Sequence, residues 1–161
     1  MKRARTLVSA TMLMAFGPVV PARAESVAVC SFNFDNGTIG SPGVVSGETR
    51  AAEWKAGPSP FICVGSVGGH QITGPGVIFE YGTLEGSCEE GKGMGWQIGT
   101  LPTTGGTIRV DNAAPFWWRF GAGTLEGQRM RGTFVFWPTA GNCFTEPVTR
   151  YGQVTQTILT G

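Results

Sequence analysis

The sequence holds a single histidine, His70, and its charged residues make up only 14% of the chain. One histidine excludes a site built from several, and a Ser-His-Asp triad would have to use this one. Its setting, Gly68-Gly69-His70, reads as a solvated loop rather than an oriented general base. No G-x-S-x-G elbow occurs. The stretch Gly93-Met94-Gly95-Trp96 lacks the Lys-Ser/Thr that completes a phosphate loop. No basic stripe is present, which disfavours a nucleic-acid partner. The gaps between Cys30, Cys63, Cys88 and Cys143 are 33, 25 and 55 residues, far from the short pairs that mark zinc sites. No catalytic residue, cofactor or metal is implied. Past the N-terminus, no apolar run approaches the roughly 20 residues needed to span a bilayer, so the mature form is expected to have no membrane partner.

What is present begins with an export signal. Lys2, Arg3 and Arg5 give a positive start, Leu7 to Val20 is mostly apolar and uncharged, and Ala22-Arg23-Ala24 is an A-x-A cleavage site. Gly17 and Pro18 break a helix just before it. Residues 1–24 are therefore read as a secretory signal and 25–161 as one mature domain starting at Glu25, secreted and extracellular. Arg3 and Arg5 are not adjacent, as a twin-arginine signal requires, and Cys30 is misplaced for lipidation. Four of the 12 basic residues leave with the signal while all 11 acidic ones stay, so the mature charge is 8 minus 11, or −3.

An even cysteine count in an exported chain reads as two disulfides. Counting strands along a meander places all four cysteines at one end of a barrel. Adjacent pairing then gives Cys63–Cys88 and Cys30–Cys143, one of three possible connectivities.

The 26 glycines and 10 prolines exclude long helices. Alternation at period two recurs instead. In Val27–Phe34, Ala28, Cys30, Phe32 and Phe34 share a face. In Gly93–Leu101, Met94, Trp96 and Ile98 oppose Gly93, Gly95 and Gly99. In Phe116–Leu125, Phe116, Trp118 and Phe120 oppose Trp117 and Arg119. Thr133–Trp137 is apolar on both faces and is expected to be buried on both. Val148–Leu159 is threonine-rich, as an exposed strand tolerates. Asp35-Asn36-Gly37 is the strongest hairpin signal, with weaker turns at Thr73–Gly76, Glu89–Gly91, Thr104–Gly106 and Asp111-Asn112. Ser41–Ser59 reads as a long loop with one short strand. The expected fold is all-β, an antiparallel up-and-down barrel of roughly eight strands, with a β-sandwich as the alternative.

Gly82-Thr83-Leu84-Glu85-Gly86 recurs as Gly123-Thr124-Leu125-Glu126-Gly127. A repeated hairpin explains the echo more simply than matched carboxylates do. Trp54, Trp96, Trp117, Trp118 and Trp137 are the other distinctive residues. Trp117 and Trp118 point to opposite faces of a strand, so a barrel places one inside and one outside. Trp96, Trp117, Trp118 and Arg119 are the candidate ligand-binding residues.

Gly82-Thr-Leu-Glu-Gly-Ser-Cys88 with Gly91-Lys-Gly-Met-Gly-Trp96, and Pro138-Thr-Ala-Gly-Asn-Cys143 before a threonine-rich last strand, resemble small exported Gly/Thr-rich disulfide-containing β-proteins of high-GC Gram-positive bacteria. That resemblance implies a secreted β-barrel and transfers no functional residue. Gly95-Trp96-Gln97-Ile98 and Thr124-Leu125-Glu126-Gly127-Gln128 are also similar to avidin-type barrels, which implies a lumen able to hold a ligand. The functional expectation is a non-enzymatic extracellular barrel that binds a small apolar ligand or a partner surface, protein or carbohydrate. The alternatives are a secreted carbohydrate-active hydrolase, with a carboxylate pair drawn from Glu80, Glu85, Glu89, Glu90 and Glu126, and a structural or protease-inhibitor protein presenting the Ser41–Ser59 loop.

Overall fold

The computed structural model describes residues 26–161. The expected signal, 1–24, and the start at Glu25 lie outside the described residues. The strands are β1 (Val27–Ile39), β2 (Arg50–Val67), β3 (His70–Gln71), β4 (Gly76–Gly86), β5 (Glu90–Thr103), β6 (Gly106–Arg119), β7 (Ala122–Glu126), β8 (Met130–Ala140) and β9 (Arg150–Thr160). β1 pairs antiparallel with both β2 and β9, which closes an eight-stranded barrel. β3 is a two-residue addition on β2. The expected up-and-down barrel is therefore the fold. Its lower end carries the start of β1 and the end of β2; its upper end carries the end of β1 and the start of β2.

Alternation decides what fills the barrel. Ala28, Cys30, Phe32 and Phe34 all face inward and are buried. On β5 the apolar face is the outer one. Met94 and Trp96 are exposed, while Gly91, Gly93, Gly95 and Gly99 face the lumen. An eight-stranded barrel is only just wide enough for its own side chains. Rings on the neighbouring strands occupy the space that β5 leaves empty. A Cβ on Gly91 would stand 2.2 Å from the Trp118 ring, and one on Gly93 2.4 Å from the Phe116 ring. Gly123 on β7 makes the same room for Phe134.

Several local expectations are corrected. Asp35-Asn36-Gly37 is a bulge within β1, not a hairpin. There the Asn36 amide donates to the Gly57 carbonyl (3.2 Å) and accepts from the Gly57 N–H (3.1 Å), so a side chain bridges β1 and β2. Asp111-Asn112 lies inside β6, because Asn112 turns inward and finds partners there. The long loop is shorter than expected, since β2 already starts at Arg50. Thr133–Trp137 is not buried on both faces: Phe134 points in, while Val135 and Trp137 are exposed. On β9, Thr155 and Thr157 face the lumen and are buried.

The disulfides are Cys30–Cys63 and Cys88–Cys143, not the expected pairs. The four cysteines do not gather at one end: Cys63 lies within the 18-residue β2, directly opposite Cys30 on β1. That bond sits in the lower half. Cys88 and Cys143 join the β4–β5 turn to the β8–β9 loop at the upper end.

A polar belt and an aromatic cavity in the barrel lumen

The lower lumen is filled by Phe32, Phe61, Ile78, Leu101, Val110, Met130 and Leu159, all fully buried. Above them a belt of polar side chains crosses the interior. Asn112 on β6 donates to Gln97 Oε1 on β5 (2.8 Å). The Gln97 side chain also helps to lower the pKa of the Glu80 carboxyl on β4. Gln153 on β9 donates to Glu80 Oε2 (3.1 Å) and to Thr155 Oγ1 (2.7 Å). Asn112 Oδ1 accepts from the backbone N–H groups of Arg129 and Met130, which anchors the belt to the β7–β8 turn.

Above the belt lies a cavity of about 70 Å³. Its walls are mostly rings. Phe116 meets Trp54 edge-on at 5.5 Å and stacks on Trp118 at 6.0 Å. Phe134 and Phe136 continue the wall on β8. Trp118 is fixed by its Nε1–H, which donates to the Ser87 carbonyl (3.2 Å). Phe116 and Phe136 are only partly buried, so the cavity is not sealed. Val44, from the 40–49 loop, covers it and bridges to Val148. The Cys88 N–H donates to the Val45 carbonyl (3.0 Å) and the Ser46 N–H to the Cys143 carbonyl (2.8 Å), so the upper disulfide holds this cover. The Glu89 carboxylate reinforces it, accepting from the hydroxyls of Ser46 and Ser87 and the Gly47 N–H. Those bonds, led by Ser46, hold its pKa down to about 2.

The cavity floor is electrostatically unusual. Burial pushes the Glu80 pKa up to about 7, against the opposing pull of the Gln153 and Gln97 bonds. Burial, and secondarily the Glu80 charge, holds the Tyr151 phenol well above its ordinary value. Four buried side-chain polar atoms lack a hydrogen-bond partner among the described residues, and two of them, Trp54 Nε1 and Tyr151 OH, belong to this cavity's walls. Buried donors are nearly always paired, so two unpaired ones on residues that line one small cavity call for a partner.

Of the four candidate ligand-binding residues, Trp118 alone lines the cavity. Trp117 points outward, as a barrel requires, and is 47% exposed. Trp96 shares that outer face, separated from Trp117 by the Met94–Pro115 pair. Arg119 is exposed at the upper edge, over the Phe120 ring. The four therefore do not form one site. His70 is exposed on β3. Among the described residues Glu80 is the one carboxylate lining the cavity, and Glu85 and Glu126 stand on the outer wall beside the inward Leu84 and Leu125. The repeated pentapeptide is thus a structural echo. The residues that sequence reasoning missed are Trp54, Gln97, Asn112, Tyr151 and Gln153. The parity of β9 carried a signal, because Tyr151, Gln153 and Thr155 alternate onto the face of buried Leu159.

Fold and site together define a closed antiparallel β-barrel with a polar-floored aromatic cavity. Comparison with known protein families, curated proteins and solved structures finds no match, so the function is read from the site alone.

Proposed function

We propose that the protein is an exported binding barrel whose upper lumen takes a small apolar group bearing a neutral oxygen acceptor, such as a ketone or ether. The observation that carries this is that two residues lining the aromatic cavity, Trp54 and Tyr151, each hold a buried donor, Nε1–H and OH, without a partner. Glu80 adds a third donor whenever it is protonated, and its raised pKa keeps that form populated near neutral pH. A carboxylate ligand would meet Glu80 and lose. The two disulfides support export. Charged Glu53, Lys55, Arg109, Asp111 and Arg131 stand on the outer wall, which a lipid-facing girdle would exclude.

The cavity is about half the size of one known to hold benzene, roughly 150 Å³, so it encloses only a few heavy atoms, the carbonyl end of a ring such as cyclopentanone, with the remainder set between Phe116 and Phe136. A longer ligand would emerge past Phe116 and Phe136. The test compares cyclopentanone with cyclopentane by NMR titration. Cyclopentanone should bind about tenfold more tightly, the contribution of one hydrogen bond. Trp54→Phe and Tyr151→Phe keep an aromatic ring at each position while removing the N–H and the O–H, and combined they should erase the difference. Equal affinity for the two compounds, or no binding of either, would sink the proposal.

A further inference from the structure

We infer that the outer wall carries a second site, which binds a pyranose ring of a neutral glycan in the groove between β1 and β5. The groove follows from strand register. Thr38 stands opposite Lys55, Lys55 opposite Tyr81, and Tyr81 opposite Trp96, forming one row across four strands. The parity that sends Trp54 and Gly82 inward sends this row outward. The groove measures about 570 Å³, within the range of roughly 300–1,000 Å³ usual for small-molecule sites.

Two features set its chemistry. Tyr81 and Trp96 stack nearly parallel, 14° apart with centroids at 5.7 Å, yet remain 45% and 38% exposed. Rings that are both ordered and wet offer apolar surface to a flat partner at little entropic cost. Around them, Lys55, Glu53, Thr38 and Thr83 supply a cationic donor, an anionic acceptor and two hydroxyls. Neither Lys55 nor Glu53 takes part in an ion pair among the described residues.

A pyranose has an apolar C–H face and a rim of hydroxyls that both donate and accept, which this set matches. A phosphate or nucleotide would meet Glu53 with a single compensating cation. An alkyl chain would leave Lys55 and Glu53 without partners. Trp54 and Ile39 line both the groove and the lumen cavity, whereas Tyr81, Trp96, Lys55 and Glu53 line the groove alone.

The test titrates the full mature chain with chitohexaose, cellohexaose and laminarihexaose by calorimetry and NMR. At least one should bind with a Kd below about 10 mM. Trp96→Ala and Tyr81→Ala should each weaken it about tenfold or more, and Lys55→Met by a few-fold. Trp137→Ala, on the outer wall of β8, and Tyr151→Phe, in the lumen, should leave it unchanged. Circular dichroism melts check that the variants fold; if Trp96→Ala does not, Tyr81→Ala and Lys55→Met decide. The inference is overturned if none of the three sugars binds, or if binding survives loss of both Tyr81 and Trp96.

Discussion

In the lower half of the barrel Phe61, Ile78, Leu101, Val110, Met130 and Leu159 expose 0% of their surface, whereas in the upper half Phe116 and Phe136 stay partly exposed around a cavity. The same eight strands build both halves. The difference lies in what alternation delivers to each. Below the belt, aliphatic side chains adapt their rotamers and fill the space around two phenylalanines. Above it the inward residues are largely Trp and Phe, facing glycines on β4, β5 and β7. Rings are rigid, and holding several edge-to-face leaves gaps that no flexible side chain fills. The lower half therefore serves stability, and the upper half combines order with a vacancy.

The contrast can be broken most directly by truncation. Phe61→Ala, which removes a ring packed edge-on to Phe32 at 5.8 Å, should cost about 3–5 kcal/mol in urea denaturation. Leu84→Ala, beside the existing cavity, should cost less, about 2 kcal/mol, since that wall already lacks some packing partners. Equal losses would mean that the halves are equally well packed.

The two disulfides sharpen the comparison. Their closed loops, of 33 and 55 residues, predict similar stabilisation of about 4 kcal/mol each from chain entropy. Stability alone should thus barely separate the Cys30→Ser/Cys63→Ser and Cys88→Ser/Cys143→Ser variants. Ligand affinity should separate them, because only the upper bond holds the cover at Val44. Cyclopentanone binding, measured where both variants are folded, should fall in the upper variant and persist in the lower one.

Glu80 gives the most diagnostic pH profile. Its folded pKa of about 7 lies above its unfolded value, so the folded state binds the extra proton between these values. Stability should therefore decline as pH rises from about 4.5 to 7 and level off beyond, by up to about 3 kcal/mol. Glu80→Gln should flatten that decline and leave the protein more stable than the parent at pH 8. A parent profile flat across this window would place Glu80 in contact with water.

Much of the architecture was legible in the residues. Turns at Thr73–Gly76 and Thr104–Gly106, the inward run of β1, and the opposite facing of Trp117 and Trp118 follow from local chemistry and period two. The candidate site was much less so. Trp96 and Trp118 look alike in the sequence, yet one faces water and the other a cavity. Asn36-Gly37 and Asp111-Asn112 resemble turn signals, but their amides have partners only once distant strands lie beside them.

By itself the sequence determined an all-β chain with two disulfides, because glycine and proline forbid long helices and alternation selects strands. It also determined which side chains share a face. Tertiary structure decided which face is the inside, since closure of the barrel admits only as much volume as eight strands enclose. That is why the glycine face of β5 turned inward and Trp96 outward. Closure likewise decided the disulfide partners, by setting Cys63 opposite Cys30. It also brought Glu80, Gln97, Asn112 and Gln153 from four strands into one belt, where low solvent access makes a carboxyl hold its proton.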